Sequence, residues 1–485
     1  MIYNSSLFLL YFLPAFLVTY YLIDRKFRNW LILFASIFFY AWGAPKFVFW
    51  VMGSVAVDYV LLSVMSGKEG LLRRSLFWIS VVMNLGLLIY FKYMNFFVDQ
   101  FNAMLSFTGS QPAEWTKIAL PVGISFITFQ KLACTLDVYK RKQAFFKQWQ
   151  DYALYIFMFP QLLSGPIVRP GQIASQITSR EDQETTDYRL SGFYRFIIGL
   201  SKKVLIADVL GATVNEIFAL PPSQLGSGMA WIGAMAYTFQ LYFDFSGYSD
   251  MAIGLARMLG FRIPENFNFP YISQSITEFW RRWHMTLSFW FRDYLFLPLA
   301  YAVSRKLPKE RYYNIRADKI IYLIATTVTF LLCGFWHGAA WTFILWGAYM
   351  GLFLILDRMI LLKYLKKMGK VPSILITFFL IVIGWLIFRA QSLDDAHFLV
   401  RRLFLFTSAE NEVWLNGKFW TMLIIAALFS FSGGFKKLEA WVEKLYQSPG
   451  NALLLTFTLI AILLYVLNVA TISSSGFSPF IYFRF

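Results

Sequence analysis

Apolar residues occur in long uncharged runs along the whole chain. The hydrocarbon core of a bilayer is about 30 Å thick, and a helix that spans it needs about 20 mostly apolar residues. Many runs approach that length: 1–23, 29–45, 75–91, 152–168, 217–243, 320–336, 338–356, 371–388, 419–435 and 445–483. With weaker segments between them, the pattern predicts an all-α polytopic membrane protein of about eleven to thirteen transmembrane or re-entrant helices.

The composition agrees with this pattern. Of the 485 residues, 58% are hydrophobic and only 15% are charged, whereas about 25% of the residues in an average soluble domain are charged. The sequence has no internal repeat, and its longest polar segments are too short for a second domain: 92–117, 169–189, 303–319 and 391–418. We therefore predict a single membrane domain over 1–485.

Basic residues predict the orientation of the chain. Lysine and arginine number 44 against 27 acidic residues, so the formal net charge is +17. The basic residues cluster between the apolar runs, at 25–28, 68–74, 140–147, 305–319, 358–370 and 436–444. Such loops usually face the cytoplasm. The membrane thus accounts for the charge, nucleic acid is not an expected partner, and both termini are predicted to lie on the outer side.

Histidine is the best general base near neutral pH, and the chain has three: His284, His337 and His397. His337 lies between Trp336 and Trp341, which are both predicted to bind substrate. Two uncharged runs meet at this point, and the far end of each run is basic. His337 is therefore expected at the turn of a buried hairpin, where Gly334 and Gly338 allow close backbone approach. Intramembrane ionisable groups are costly and usually functional. The alternative is a histidine that only hydrogen-bonds to a neighbouring helix, and His397, beside a polar outer loop, is expected at the surface.

His284 lies in a segment of tryptophans and arginines. Trp280, Trp283, Leu287, Trp290 and Tyr294 recur there at helical spacing, interrupted by Arg281, Arg282 and Arg292. The segment fits an amphipathic helix at the membrane interface. It equally fits a pocket wall whose arginines bind a phosphorylated or carboxylated acyl donor. We predict that Arg281, Arg282 and Trp283 contact substrate.

Two aspartates follow a long uncharged stretch. Asp244 and Asp250 lie in Tyr242-Phe-Asp-Phe-Ser-Gly-Tyr-Ser-Asp250. Carboxylates at such positions must be paired or face water. The simpler expectation is that they cap helices or pair with arginines such as Arg257 or Arg282. The alternative is that Asp244 binds substrate.

The C-terminal segment 473–485 begins with serines and ends in Phe-Ile-Tyr-Phe-Arg-Phe. Chain ends are normally polar and frayed, so an aromatic end is anomalous in water. We predict that this tail is docked into an apolar cavity on the outer side.

Four fragments in order resemble the membrane-bound O-acyltransferase family, including its alginate and peptidoglycan acetylation branches. They are Asn4-Ser-Ser-Leu-Phe-Leu-Leu-Tyr-Phe-Leu-Pro14, Tyr242 to Asp250, Phe279-Trp-Arg-Arg-Trp-His284 with Trp290-Phe-Arg-Asp-Tyr294, and Gly334-Phe-Trp-His-Gly-Ala-Ala-Trp341. The resemblance implies a ring of tilted helices around a central funnel in a bacterial inner membrane. It implies His337 as the central catalytic residue and His284 as the second histidine. It also implies that Tyr482 accepts the acyl group in the tail.

The resemblance implies a reaction without a bound cofactor or metal. A thioester, acetyl-CoA or an acyl carrier protein, would donate on the cytoplasmic side. His337 would act as general base, because a phenol with a pKa near 10 is a poor nucleophile until its proton is removed. A periplasmic SGNH-hydrolase-like acetyltransferase would pass the group to an exported polysaccharide. Open alternatives are D-alanyl transfer to teichoic acid, a transporter or flippase of an envelope precursor, and a non-catalytic scaffold.

Overall fold

The computed structural model describes residues 1–406, 413–435, 450–475 and 479–481. In the first half of the chain, α-helices span Leu13–Leu22, Arg25–Gly43, Val48–Ser66, Gly70–Leu88, Met94–Phe107, Ile124–Tyr139, Trp149–Phe157, Phe159–Leu162, Pro170–Thr178, Thr186–Ser201 and Asp208–Phe218. In the second half they span Ser227–Met258, Ile276–Trp280, Met285–Phe291, Leu297–Lys306, Ala317–His337, Trp341–Leu356, Leu362–Met368, Lys370–Arg389, Leu393–Arg402, Gly417–Phe431 and Asn451–Ser475.

Five short π-helical segments interrupt these helices, at Phe8–Phe12, Ile89–Tyr93, Lys202–Ala207, Arg292–Phe296 and Asp357–Leu361. Such segments are frequent at functional sites. In the described residues the only β-structure is a hairpin of Arg311–Tyr312 and Ile315–Arg316. Tyr313 and Asn314 both have positive φ between the strands, which is the backbone that a two-residue hairpin turn requires.

Seven helical stretches among the described residues are long and apolar enough to cross a bilayer. They are Val48–Ser66, Gly70–Phe107, Ala317–His337, Trp341–Met368, Lys370–Arg389, Gly417–Gly434 and Ala452–Ser474. Large apolar side chains on these stretches are exposed, such as Phe49 at 77% and Leu455 at 61%, as expected of a surface that faces lipid. The chain is therefore an all-α polytopic membrane protein. These seven stretches are fewer than the predicted eleven to thirteen, and the other described helices are shorter or more polar.

The described chain forms two compact units. The first comprises Met1–Arg195 and Met251–Pro264, and the second comprises Phe196–Asp250 and Glu265–Phe485. Within the first unit, the buried carboxylate of Asp58 accepts hydrogen bonds from Ser80 at 2.6 Å, Asn84 at 3.1 Å and Tyr152 at 2.5 Å. These donors balance a charge that would otherwise be costly inside a membrane protein.

The second unit contains both predicted catalytic histidines. One part of its core is a buried apolar cluster formed by the helices Asp208–Phe218, Ser227–Met258, Lys370–Arg389 and Leu393–Arg402, whose members include Ile217, Met229, Ala234, Val382, Leu386 and Leu399. This packing gives the helix Lys370–Arg389 a fixed position, and that helix carries Trp385 and Phe388 of the site described below.

Candidate active site

His337 is the last residue of the helix Ala317–His337, and the next helix begins at Trp341. The backbone of Gly338 is extended, so the chain turns directly after the histidine. The His337 side chain is buried, and its ring lies 5.0 Å from the rings of both Trp336 and Trp346. The structure therefore places His337 at the turn of a helical hairpin, among aromatic rings.

Glycines allow the two helices of this hairpin to touch. A Cβ on Gly334 would lie 2.2 Å from the carbonyl oxygen of Phe343, and a Cβ on Gly347 would lie 2.3 Å from that of Phe330. No real side chain tolerates such distances, so both positions require glycine. The close backbone approach predicted at Gly334 is observed. It holds the indole of Trp346 against the imidazole of His337.

His284 is completely buried and has a left-handed backbone, with φ 42° and ψ 51°. A non-glycine residue pays an energetic cost in this region, and such residues concentrate at functional sites. The neighbouring loop holds the strained turn in place, because the main-chain N–H of Met285 donates to the carbonyl oxygen of Asn266 at 2.9 Å. The left-handed turn lets the chain change direction before the helix Met285–Phe291 begins.

Asn266 also determines which nitrogen of His284 carries the proton. The main-chain N–H of Thr286 donates to Oδ1 of Asn266 at 3.3 Å, which identifies that atom as the amide oxygen. Nδ1 of His284 lies 3.0 Å from the same oxygen and must donate to it. His284 lies outside the seven candidate spans, and burial lowers its pKa to about 3. The ring is therefore neutral, with the lone pair of a base on Nε2.

Aromatic rings connect the surroundings of the two histidines. The indole of Trp346, beside His337, stacks on Trp385 at 6.0 Å, and Trp385 lies 4.8 Å from Trp283. Trp283, predicted to bind substrate, directly precedes His284 and is buried. These contacts bring the two histidine motifs, distant in the sequence, into one aromatic site.

A cavity of about 300 Å³ runs beside the helix that ends at His337. Tyr322, Thr326, Thr329 and Cys333 of that helix line it. They recur every three or four residues and so share one helical face, which His337 extends by one further turn. Arg281 also lines the cavity. Its neighbour Arg282 instead pairs with Glu278 at 2.9 Å, so the two predicted arginines have different surroundings.

Several buried hydrogen-bonding groups in the cavity wall lack a hydrogen-bond partner among the described residues. They are Thr277 Oγ1, Trp280 Nε1 and Thr329 Oγ1. Leaving such groups unsatisfied costs about 1–3 kcal/mol each. The wall is therefore suited to a ligand with its own donors and acceptors. Trp280 separates this ligand space from Trp346, with ring centres 5.9 Å apart.

Both aspartates contact lysines, and Asp244 pairs with a lysine where a helix cap or an arginine partner was expected. Asp244 lies 2.6 Å from Nζ of Lys203, and Asp250 lies 2.6 Å from Nζ of Lys202. The reason is a close helix crossing between these pairs. A Cβ on Gly247 would lie 2.7 Å from the carbonyl oxygen of Gly199, so the backbones touch and the lysines meet both carboxylates.

The end of the described chain contacts this same region. Phe480 is fully buried and stacks on Tyr248 with ring centres 4.7 Å apart. The main-chain N–H of Ile481 donates to Oδ2 of Asp244 at 2.9 Å. Phe480 also lies 5.6 Å from Phe245, whose ring meets His284 edge to face at 4.5 Å. Tyr482, the predicted acyl acceptor, lies outside the described residues.

Two predicted residues lie at the edge of this arrangement. Trp341 starts the second helix of the hairpin and is 51% exposed. His397 is exposed on the helix Leu393–Arg402 and lines a separate cavity of about 350 Å³, together with Leu345 and Ile387. The predicted surface position of His397 is therefore observed.

Sequence reasoning missed Asn266 and Lys203. Asn266 is one of two asparagines in a loop rich in aromatic residues and proline, and nothing in the sequence distinguishes it from Asn268. Lys203 did carry a signal, because a lysine within an apolar segment needs a nearby carboxylate. The partner could not be identified, because Asp244 is far away in the sequence.

Comparison with known proteins identifies the family. The model of the membrane-bound O-acyltransferase family matches residues 125–388. The probable alginate O-acetylase AlgI of Pseudomonas aeruginosa is 37% identical over the whole of both chains. The peptidoglycan O-acetyltransferase of Helicobacter pylori is 34% identical over 82% of this chain and 78% of its own. The teichoic acid D-alanyltransferase of Bacillus subtilis is 30% identical over 57% of this chain and 70% of its own.

The matched region begins in the helix Ile124–Tyr139 and ends in the helix Lys370–Arg389, so it contains both His284 and His337. The full-length similarity to the alginate protein extends beyond it, to both ends of the chain. The chain therefore belongs to the membrane-bound O-acyltransferase family and is a multi-pass membrane enzyme that transfers acyl groups to oxygen.

Proposed function

We propose that this enzyme moves an acetyl group from a cytoplasmic thioester across a bacterial inner membrane, for O-acetylation of an exported or cell-envelope polysaccharide. The observation that carries the proposal is the buried His337, which ends the helix along which the ligand cavity runs. The relatives named for alginate and peptidoglycan O-acetylation support acetyl as the group and a polysaccharide as the final acceptor.

The donor enters the cavity of about 300 Å³ with its thioester towards His337. Acetyl-CoA and an acyl carrier protein present the same phosphopantetheine arm, which carries amides along its length and a phosphate at its end. The unpaired groups of Thr277, Trp280 and Thr329 suit the amides. Arg281, which also lines the cavity, suits the phosphate, because a guanidinium group binds it through two parallel hydrogen bonds.

His337 acts as the general base for the first transfer. Its imidazole removes the phenol proton of Tyr482, and the phenolate oxygen attacks the thioester carbonyl carbon. The carbon–sulfur bond breaks, and the thiolate takes up the proton that the imidazole holds. The products are a free thiol and an aryl ester on Tyr482. The aryl ester retains a good leaving group, so its acetyl group stays transferable on the outer side.

His284 is the second catalytic residue, on the side of the tail. Phe245 contacts both Phe480 and the ring of His284, and Tyr482 follows Ile481 directly in the chain. Nε2 of His284 carries the lone pair that a proton relay needs, because Nδ1 donates to Asn266.

The outer steps require a partner and an orientation. We propose that both termini face the periplasm, where an SGNH-hydrolase-like acetyltransferase collects the acetyl group from Tyr482. The basic loops 305–319 and 358–370 support this orientation, since they adjoin the helices of the hairpin and should stay in the cytoplasm. His337, at the opposite end of that hairpin, then lies beyond the outer end of the cavity, one helical turn after Cys333.

Reconstitution in liposomes tests the proposal. A thioester labelled in its acetyl group is supplied on one side, and label on a soluble acceptor protein or glycan is measured on the other. Consumption of thioester with transfer across the bilayer supports the proposal, whereas movement of an envelope precursor without thioester consumption favours a transporter. D-alanyl thioester is the second donor, because of the partial similarity to the teichoic acid enzyme. A strong preference for it would reassign the acyl group.

A further inference from the structure

We propose that Lys203, Asp244, Phe245 and Tyr248 form a binding site for the chain's own C-terminal segment Pro479–Ile481, held by its main chain and by the ring of Phe480. This inference rests on the proposed function only for its consequence, which is that the bound segment positions the tyrosine that follows it. The site itself follows from contacts within the second unit.

The electrostatic part of the site is a lysine between two carboxylates. Nζ of Lys203 lies 2.6 Å from both Asp208 and Asp244, and the side chains of Lys203 and Asp244 are each 3% exposed. A buried carboxylate needs a hydrogen-bond donor at each oxygen. Lys203 serves Oδ1 of Asp244, and the main-chain N–H of Ile481 serves Oδ2. The segment thus completes the hydrogen bonding of this carboxylate.

The segment Pro479–Ile481 contacts the site through two main-chain groups. Lys203 also donates to the carbonyl oxygen of Pro479, at a longer distance of 3.5 Å. The carbonyl of Pro479 and the N–H of Ile481 therefore both contact the pair of charged side chains, Lys203 and Asp244. An ammonium and a carboxylate, held next to one another, complement these two main-chain groups. Recognition of this kind depends on the backbone and tolerates many side chains at position 481.

The ring of Phe480 provides the selective part. It stacks on Tyr248 at 4.7 Å and lies 5.6 Å from Phe245. Phe245 and Tyr248 are three residues apart on one helix, next to Asp244 and on a shared face. Buried aromatic pairs of this geometry add about 0.5–1.5 kcal/mol to the burial of the ring. The aromatic slot therefore sets the register in which the backbone meets Asp244.

Lys202 and Lys203 begin the π-helical segment Lys202–Ala207 and contact different aspartates. Lys202 pairs with Asp250 and Lys203 pairs with Asp244. The simpler explanation of these pairs is that they only join two helices, with the tail as a passive cover. The two explanations differ in one respect, since a passive cover does not need the N–H of Ile481.

A matched pair of variants in the full-length protein separates them. Ile481→Pro removes the N–H, whereas Ile481→Ala keeps it and removes more of the side chain. Docking is read by ¹⁹F NMR, with 4-fluorophenylalanine in place of Phe480, since the stacked and solvent-exposed rings have different shifts. Loss of a hydrogen bond to a charged group predicts about a tenfold lower docked population for Ile481→Pro. Ile481→Ala should remain mostly docked.

Equal docking of the two variants, or equal undocking, would overturn the proposed main-chain site. Lys203→Gln and Lys202→Gln provide a second matched pair, of which only the Lys203 variant is expected to undock the ring. Acyl transfer is measured on the same samples. A protein that docks normally but transfers nothing contradicts the proposed function and leaves the binding site standing. A variant whose C-terminal segment is undocked but which still transfers acyl groups at the full rate would show that transfer does not depend on the binding site.

Discussion

The main-chain N–H of Ile481 lies 2.9 Å from the carboxylate of Asp244, which is 237 positions earlier in the chain. The helix that carries Asp244 also carries Phe245, whose ring lies 4.5 Å from that of His284. The described end of the tail is therefore one ring away from a candidate catalytic histidine. This relationship connects a motif in the middle of the sequence with the residue that precedes Tyr482.

His337→Ala should reduce acyl transfer by about 10²–10⁴-fold, the usual contribution of a general base. His337→Gln should be equally inactive, because an amide cannot take the proton. The measurement is the rate of transfer from a labelled thioester, with folding checked by size-exclusion chromatography. His397→Ala is the control and should be near wild type, since His397 is exposed outside the site. More than half of wild-type activity in either His337 variant would refute the assignment.

Asn266→Ala should lower transfer about tenfold or more, because Nδ1 of His284 loses its acceptor and the ring no longer keeps its lone pair on Nε2. Asn266→Asp keeps an acceptor but adds a negative charge, which raises the pKa of His284. A base works only when unprotonated, so activity of Asn266→Asp should be lost as pH falls through this raised pKa. A pH–rate profile identical to wild type in both variants would exclude a role for the Asn266 contact.

Arg281→Gln should raise the KM for the thioester donor about tenfold and leave kcat within about twofold, because the guanidinium is assigned to binding the donor phosphate. Steady-state kinetics with varied donor concentration measures the two constants. Arg305→Gln is the matched control, since Arg305 is exposed and hydrogen-bonds within its own helix. An unchanged KM in the Arg281 variant would show that the donor phosphate does not bind at this end of the cavity.

The orientation can be tested with single cysteines in a protein that lacks Cys134 and Cys333. Cysteines at Ser110 and Ser474 should react with an impermeant maleimide added to intact cells, whereas those at Lys309 and Lys367 should be protected. All four positions are exposed. The opposite labelling pattern would reverse the topology and place the tail in the cytoplasm.

The sequence predicted the elements that depend on local pattern. Uncharged runs of the required length indicated a membrane protein. His337 could be placed at a hairpin turn because basic clusters mark the ends of both helices that are farthest from it. Gly334 could be assigned to a close helix contact because glycine, here three residues before the buried histidine, has no side chain to hold a neighbouring backbone away.

Contacts between residues that are far apart in the sequence could not be predicted. Asp244 was expected to cap a helix, to pair with an arginine or to bind substrate, and its lysine partner depends on the approach of Gly247 to the carbonyl of Gly199. Asn266 determines the tautomer of His284 only because a left-handed turn at His284 brings the ring back to the loop. Neither contact has a local sequence pattern, because both depend on the close packing of distant segments.

The central claim is that His337 promotes transfer of an acetyl group to Tyr482. Intact-mass and peptide mass spectrometry of the purified protein, after incubation with isotope-labelled acetyl thioester, tests it most directly. We expect one labelled acetyl group on Tyr482. It should be absent from His337→Ala and from Tyr482→Phe, which keeps the ring and lacks only the hydroxyl. A labelled group on another residue, or polysaccharide acetylation at wild-type rate in Tyr482→Phe, would contradict it.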